Sequence, residues 1–452
     1  MRSESQARPP ARVLASIAAL GLLLAALLLG AGHAAAAEKA IWGPATLPDG
    51  RSALALYDEL GVDTLQVSIS WPDVAPQRPA APTDPADPAY RWPAGLAALE
   101  AEAGQRGIHL ALLVTNAPPW SNGGRSPIWA PGDPQDYADF MTAAARRYAS
   151  VRRWMIWGEP NRDDRFQPNS DNGPAGPRAY ARLLDAAYVA LKRESPSNRV
   201  IGGMTWTGGT VRPPTFVRAM RLPDGRPPRL DWFGHNPFPF RFPKLSARPI
   251  GLGFRDISDS DTFSREIARS YGRRVPLWLS EYTIQSDKPS ATFETFVSRA
   301  AQARYVTAGW KLADDLAGAV AGIGWFALLD EPAAELSANW GLLSSTLQRK
   351  PAFAAYARAP GERLRPAVSV ASSVSRATLR RQGLAVRVTP RASGSIVVEL
   401  RRSGRVRARS RARAAAGARR TLRLRSSLPA GRYTLGVRAA RAATVRRLFR
   451  VR

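Results

Sequence analysis

The chain has 452 residues, a formal net charge of +29 and 45% hydrophobic residues, which fits a globular protein with more than one domain. It contains no cysteine, so disulfide bonds, thiol nucleophiles and thiolate metal sites are all excluded. With only three histidines, a histidine-rich metal site is not expected either, and we predict neither a metal nor another cofactor.

The first 37 residues have the pattern of an export signal. Arg2, Arg8 and Arg12 precede a long apolar run, and small residues of the type that a signal peptidase requires lie before Glu38. The apolar run is long for a cleaved signal, so an uncleaved membrane anchor is the alternative. In either case we expect an extracellular or cell-surface protein, with residues 1–37 as the signal peptide.

Residues 38–360 alternate short apolar strands with amphipathic helices. The eight predicted strands are KAIWG, VDTLQVSISW, IHLALLVTN, RRWMIWGE, RVIGGMTW, LDWFGHN, VPLWLSEY and GIGWFALLD. Near-continuous apolar strands that are joined through helices indicate a parallel sheet covered by helices. Eight such units predict a closed (β/α)8 barrel. A doubly wound open sheet is the alternative, although no G-x-G-x-x-G motif follows the first strand.

Two glutamates end predicted strands of this barrel. Glu159 ends the fourth strand in WMIWGEPN, and Glu281 ends the seventh strand in PLWLSEYT. In (β/α)8 barrels the active site lies at the carboxyl ends of the strands, so we expect the two carboxylates to meet at one rim. The structural alternatives are a helix-start carboxylate satisfied by backbone N–H groups for Glu159 and a loop salt bridge for Glu281.

At these segments the chain resembles the clan A glycoside hydrolases, a large group of (β/α)8 enzymes that cleave sugars, and it is most similar to their families 39 and 5. The resemblance covers nearly all of residues 38–360. It is carried by IWGEPN, LWLSEYT, SISWPDVAP, TNAPPWSNG, GHNPFP, GWFALLDEP and the closing segment WGLLSSTLQRKPAFAAYA. The clan's strand-four glutamate is the acid/base and its strand-seven glutamate the nucleophile, which implies these roles for Glu159 and Glu281.

Six residues are candidates for sugar contact. The resemblance implies that Trp325 stacks on the sugar and that His235 lies near the nucleophile, although a packed, hydrogen-bonded histidine is the alternative. Tryptophans after or at strand ends offer further flat surfaces for sugar C–H faces, whereas core filling is preferred for Trp154, Trp278 and Trp310. The candidates are Asn116, Trp120, Asn161, His235, Trp325 and Trp340.

Two positions depart from the clan's pattern. The clan usually has Asn directly before the acid/base glutamate, where it binds the sugar 2-hydroxyl, and this chain has Gly158. The clan usually has Arg on strand two, where it supports the nucleophile, and this chain has Gln66. A substitute amide would have to come from Asn116, Asn161 or Asn236. The sequence therefore predicts an exported retaining glycoside hydrolase acting on a poly- or oligosaccharide, with a non-catalytic glycan- or cell-wall-binding barrel as the alternative.

The C-terminal part of the chain is strongly basic. Residues 361–452 hold 25 arginines, no lysine and two acidic residues, a net +23, whereas residues 1–360 hold 40 basic and 34 acidic residues, a net +6. The positive charge therefore characterises the C-terminal module and not the barrel.

Residues 361–375 are predicted to be a linker, and residues 376–452 a small antiparallel β-sandwich. Short alternating runs such as GLAVRVTP, SGSIVVELRR and GRYTLGVRA recur at strand-sized intervals. The segment LRRSGRV predicts a hairpin whose turn is Ser403–Gly404. The next strand carries arginine at positions 405, 407, 409, 411 and 413, all on one face because side chains alternate with a period of two.

Such an arginine face cannot be buried without partners. It is expected to face water or an anionic partner such as an acidic wall polymer, an acidic polysaccharide or lipid headgroups. Nucleic acid conflicts with export and is not expected, nor is an obligate protein partner. A merely solvated face is the alternative.

Overall fold

A computed structural model describes residues 37–245, 247–316, 318–362, 366–391, 393–440, 442 and 444–452. The predicted signal peptide, apart from Ala37, lies outside the described residues. Within the described ranges, no helix has the length and apolarity that crossing a bilayer requires.

Eight parallel strands close into a barrel. They are β1 (Glu38–Trp42), β2 (Thr64–Ser70), β3 (His109–Thr115), β4 (Arg153–Ile156), β5 (Arg199–Trp206), β6 (Trp232–Asn236), β7 (Leu277–Tyr282) and β8 (Val320–Phe326). Each strand pairs with its neighbours along the chain, and β8 pairs with β1 to complete the cylinder. The predicted (β/α)8 barrel is confirmed, and the open doubly wound sheet is excluded.

One principal helix follows each strand. These helices are α1 (Leu54–Leu60), α2 (Ala94–Gln105), α3 (Pro134–Arg147), α4 (Ala175–Glu194), α5 (Pro213–Ala219), α6 (Ser260–Tyr271), α7 (Arg299–Asp315) and α8 (Pro351–Arg358). Helix α3 begins where the sequence predicts, because the Asp133 side chain accepts a hydrogen bond from the Gln135 backbone N–H at 2.9 Å and Pro134 needs no partner at the first turn.

The barrel has an inner and an outer core. A small cluster fills the cylinder and contains Ala40, Trp42, Ala111, Leu113, Met155, Ile201, Met204 and Trp278. A larger cluster packs the strands against the helices. Since both faces of each strand are covered, the strands are apolar throughout and not alternating. Trp154, Trp278 and Trp310, for which the sequence favours core positions, are all buried.

A β-sandwich follows the barrel, as predicted. Its strands are β9 (Ala367–Ser369), β10 (Ser373–Val374), β11 (Leu384–Thr389), β12 (Gly394–Arg402), β13 (Arg405–Ala414), β14 (Arg420–Leu424), β15 (Gly431–Ala439) and β16 (Val445–Val451), with a short helix, α9 (Arg376–Arg381), after β10. One sheet has the order β9-β11-β14 and the other β10-β16-β15-β12-β13. Pairing is antiparallel except between β10 and β16.

The predicted linker at residues 361–375 is only partly correct. Strands β9 and β10 lie inside that range and belong to the two sheets, so the sandwich starts before residue 376. The two modules also touch, since the Arg446 guanidinium lies 3.3 Å from the Asp314 carboxylate at the end of α7. Short exposed runs such as AVS carry little alternation, which is why the sequence favours a linker there.

Candidate active site

The carboxyl ends of three adjacent barrel strands have an unusual backbone. Asn116 after β3, Trp157 and Glu159 after β4, and Met204 within β5 have φ values of 65°, 61°, 50° and 42°. Left-handed conformations at residues other than glycine cost about 1–3 kcal/mol each and concentrate at functional sites. The strain marks this rim of the barrel as the place to look for chemistry.

Glu159 lies on the rim with both carboxylate oxygens engaged. Its Oε1 accepts a hydrogen bond from Asn236 Nδ2 at 3.0 Å, and its Oε2 accepts one from Arg162 Nη1 at 2.9 Å. Its backbone N–H donates to the Met204 carbonyl at 3.0 Å, which attaches this turn to β5. The partners of the carboxylate are side chains, and the next long helix, α4, starts only at Ala175. The helix-start alternative for Glu159 therefore does not apply.

Glu281 lies near the end of β7 and is half-buried. Burial, followed by the nearby charge of Glu159, raises the pKa of Glu281 to about 8, while Arg165, the Asn236 side chain and Arg162 act in the opposite direction. The two carboxyl groups, which are far apart in the chain, therefore lie close enough at the barrel mouth to interact electrostatically.

Gln66 does not take over the role that the clan gives to arginine. Its Nε2 donates to the Ser280 carbonyl at 2.9 Å, and its Oε1 accepts from Trp278 Nε1 at 2.9 Å and from Ser280 Oγ at 3.0 Å. These bonds hold the residue that precedes Glu281. Gln66 therefore orients the strand beside Glu281.

Gly158 leaves space beside Glu159. A Cβ atom at this position would meet only the Leu113 Cδ2 atom, at 3.4 Å, an ordinary packing distance. The position that the clan fills with asparagine is therefore open in this chain.

Asn161 corrects one expectation of sugar contact. The residue is 0% exposed, its Nδ2 donates to the carbonyls of Trp206, Gly208 and Val211, and its Oδ1 accepts from the Trp206 backbone N–H. Every polar atom of the side chain is used to join the loops after β4 and β5. Asn161 is structural, and the sequence could not show this because the partners lie some 45 positions away or more.

His235 is likewise part of the scaffold. It is 1% exposed, its Nδ1 lies 2.9 Å from Thr205 Oγ1 and its Nε2 lies 2.9 Å from the Arg255 carbonyl. Burial lowers its pKa to about 4, so the ring is neutral at physiological pH. The packed-histidine alternative fits this geometry, and the expectation of sugar contact does not.

Of the three candidate tryptophans, none presents an open ring face in the way expected. Trp325 is 0% exposed and donates from Nε1 to the Trp340 carbonyl, so it belongs to the core. Trp120 is half-buried, with the Arg78 guanidinium 4.5 Å from its ring centroid. Trp340 is 5% exposed. Asn116, the remaining candidate, is half-buried at the strained rim.

Trp340 belongs to an apolar wall on one side of the barrel mouth. Its ring lies 5.5 Å from that of Phe293 and 6.1 Å from that of Phe326, and Phe293 stacks on Phe238 at 5.0 Å. We call Phe238, Phe293, Phe326 and Trp340 the apolar wall. Phe238 follows β6, Phe293 follows β7, Phe326 ends β8 and Trp340 lies in the segment after β8. Phe326, one position after the predicted Trp325, is the aromatic residue of β8 that belongs to the apolar wall.

Two arginines of the site were not among the sequence candidates. Arg162 binds Glu159 and Asp164, and its guanidinium lies 5.1 Å from the ring centroid of Trp206. Arg165 affects Glu281 electrostatically, and its side chain is 59% exposed. Their only signal in the sequence is the segment NRDDR directly after Glu159 and Pro160. In the described part of the chain, no cluster of acidic or histidine side chains could hold a metal ion.

Comparison with known proteins rests on structure alone, because no protein-family model and no curated protein matches the chain. A family 39 glycoside hydrolase from Bacteroides cellulosilyticus has a TM-score of 0.54 at 15% identity, with 86% of this chain and 81% of that chain covered. A glucosidase from Croceicoccus marinus has a TM-score of 0.53 at 14% identity, covering 88% and 95%. A monomeric β-xylosidase from Caulobacter crescentus has a TM-score of 0.51 at 15% identity, covering 87% and 96%. The chain therefore has the clan A glycoside hydrolase fold, with a (β/α)8 barrel followed by a β-sandwich.

Proposed function

We propose that the chain is an exported, retaining glycoside hydrolase that cleaves O-glycosidic bonds in a poly- or oligosaccharide. The observation that carries this proposal is the electrostatic interaction of Glu159 with Glu281 at the mouth of a barrel with the clan A fold, beside Asn236, which donates a hydrogen bond to Glu159. Export is supported by the N-terminal sequence pattern. It would be checked by N-terminal sequencing of the protein recovered outside the cell.

Retention is supported by the electrostatic interaction between Glu159 and Glu281, because this interaction requires the two carboxyl groups to be close together. A separation of about 5 Å is that of retaining enzymes, whereas inverting enzymes need about 6.5–9.5 Å to place a water molecule between the carboxyls.

In the proposed reaction Glu281 attacks the anomeric carbon while Glu159 protonates the departing glycosidic oxygen. The glycosyl–Glu281 ester is then hydrolysed by water, and Glu159 takes up the proton of that water. At neutral pH the raised pKa of Glu281 keeps one proton on the carboxyl pair. The productive state needs the same single proton on Glu159, so substrate binding has only to move it between the two groups.

A non-catalytic glycan-binding barrel remains the second candidate, and one contact favours it. The Arg162–Glu159 ion pair, at 2.9 Å, engages the carboxyl group that would have to donate a proton to the leaving group. This contact and the open position at Gly158 both fit a barrel that binds glycan in its cleft without hydrolysing it.

The two candidates are separated by turnover on a panel of aryl β-glycosides and polysaccharides, with the product anomer followed by proton NMR. The hydrolase proposal expects turnover with retention. It also expects Glu159→Gln to keep more activity on substrates with good leaving groups than on those with poor ones, because only the latter need the acid. Tight glycan binding without turnover would support the second candidate instead.

Replacing Gly158 by asparagine is expected to raise kcat/KM by about tenfold, since the new amide can bond the sugar 2-hydroxyl as the clan resemblance implies. A Cβ atom fits at this position, at 3.4 Å from Leu113 Cδ2. Gly158→Ala is the matched control, because it adds a Cβ without an amide, and a 2-deoxy substrate should show no gain. Equal rates for the asparagine and alanine variants would contradict the prediction.

A further inference from the structure

The arginines of β13 form a continuous charged edge. This strand is the last one in its sheet, and Arg405, Arg407, Arg409, Arg411 and Arg413, which we call the arginine edge, are all exposed. Alternate residues of a strand are about 6.8 Å apart, so Arg409, Arg411 and Arg413 repeat at a regular interval on one face. The prediction that all five share this face is wrong, because a register shift between Leu400 and Arg401 pairs Val406 with Arg401 and interrupts the alternation before Arg409.

Little acidic charge opposes this edge. Glu399, opposite Arg409 in register, binds both Arg409 and Arg401. Among the described residues, the other four arginines of the edge have no acidic partner. Because exposed guanidinium groups without counter-charges repel one another, the edge is arranged for an external anion.

The same face continues toward the barrel. Val397 of β12 lies opposite Arg411 on one side and Arg438 of β15 on the other, so Arg411 and Arg438 point to one face of the sheet. Arg438 lines a cavity of about 450 Å³ between the sandwich and helices α7 and α8. The arginine edge and this junction cavity are therefore two parts of one basic surface.

The junction cavity has the composition of a site for an acidic sugar. Arg358 and Arg438 are exposed there and have no acidic partner among the described residues. Thr307, Ser395 and Lys311 also line the cavity, as does Asp314, which is paired with Arg446. Guanidinium groups bind carboxylates and sulfates in a bidentate manner, and hydroxyl groups suit a sugar ring.

Other polyanions fit this surface less well. Single-stranded nucleic acid needs exposed aromatic rings on which bases stack. The aromatic residues of β15 and β16, Tyr433 and Phe449, are buried. A membrane needs a cluster of apolar side chains, and within the described sandwich only Val406 and Leu448 are large, apolar and exposed.

We propose that the arginine edge and the junction cavity together bind an acidic polysaccharide, at a site separate from the barrel mouth. Bound there, the polymer would keep the barrel close to neighbouring glycan and raise the effective concentration of its substrate. The binding needs no turnover, so it stands or falls independently of the proposed hydrolase activity.

The test measures the affinity of the full chain for polygalacturonate, with neutral dextran as the comparison polymer, at low and at physiological salt. Arg407→Ser/Arg411→Ser/Arg413→Ser is expected to weaken binding at low salt by at least about tenfold. Arg358→Ser/Arg438→Ser should also weaken it. The matched control is Arg387→Ser/Arg423→Ser/Arg425→Ser, which removes the same charge from exposed positions around the other sheet and should change affinity by less than about twofold.

Equal losses in the two triple variants would overturn the proposal, because they would show a response to net charge alone. Unchanged affinity of the Arg358/Arg438 variant, or tighter binding to a single-stranded DNA oligonucleotide than to polygalacturonate, would overturn it as well. Circular dichroism of each variant shows whether the fold is intact, and the substituted side chains are all exposed.

Discussion

Replacing Glu281 by glutamine is expected to abolish turnover and, at the same time, to stabilise the folded protein. An amide cannot form the glycosyl ester, so kcat should fall by about 10⁴-fold or more, as it does when a nucleophile is removed from other hydrolases. The measurement is hydrolysis of the best substrate found in the glycoside panel.

The gain in stability follows from the pKa of Glu281, which rises from its ordinary value of 4.5 to about 8 in the folded protein. Between these values the folded state holds a proton that the unfolded state has lost, so the free energy of unfolding falls as the pH rises from about 4.5 to 8. Glutamine carries no charge and avoids this loss. We expect a gain of about 1–3 kcal/mol near pH 8 and none near pH 4.

Urea unfolding followed by tryptophan fluorescence at both pH values checks the stability effect. Glu335→Gln is the control, because Glu335 is exposed and its substitution should change neither activity nor stability. If the Glu281 variant kept its turnover, the nucleophile assignment would be wrong. If its free energy of unfolding matched that of the wild type near pH 8, burial and Glu159 would not raise the pKa of Glu281 as described above.

Replacing Lys350 by methionine is expected to destabilise the fold by about 3–5 kcal/mol, because it leaves the buried Asp330 carboxylate without a counter-charge. Lys350 Nζ lies 2.9 Å from Asp330 Oδ1, with side-chain exposures of 0% and 5%. Lys350 Nζ also donates to the Asn339 carbonyl at 3.0 Å, and Asp330 Oδ1 accepts from the Gly341 N–H at 2.7 Å. The pair therefore holds the segment that carries Trp340, and with it the apolar wall.

A second substitution tests this explanation. Lys350→Met/Asp330→Asn should recover at least half of the lost stability, since the asparagine is neutral and its oxygen can still accept from Gly341. Lys311→Met breaks an exposed ion pair with Asp315 and should cost less than about 1 kcal/mol. The measurement compares the denaturant midpoints of the wild type and the three variants. A Lys350→Met variant as stable as Lys311→Met would refute the prediction.

The candidate site shows which inferences are accessible from sequence. Glu159 and Glu281 were identifiable because each ends an apolar strand, and strand ends of one barrel share a rim. The contacts of Asn161 and His235 were not identifiable, since their partners come from other strands and loops. Asn236 was only one of three asparagines that could supply an amide, and nothing in its own segment indicates that it donates to Glu159.

By itself, the sequence determined the eight strand–helix units, the parallel arrangement, the basic sandwich and the regular row of Arg409, Arg411 and Arg413. These features follow from local periodicity and from the rules that govern how strands close into sheets. Only the tertiary structure decided that Asn236 and Arg162 both bind Glu159, that Trp325 is buried, and that the arginine edge leads to a cavity beside the barrel. The physical reason is that these features depend on distances between residues remote in the chain, and such distances are set by packing rather than by sequence spacing.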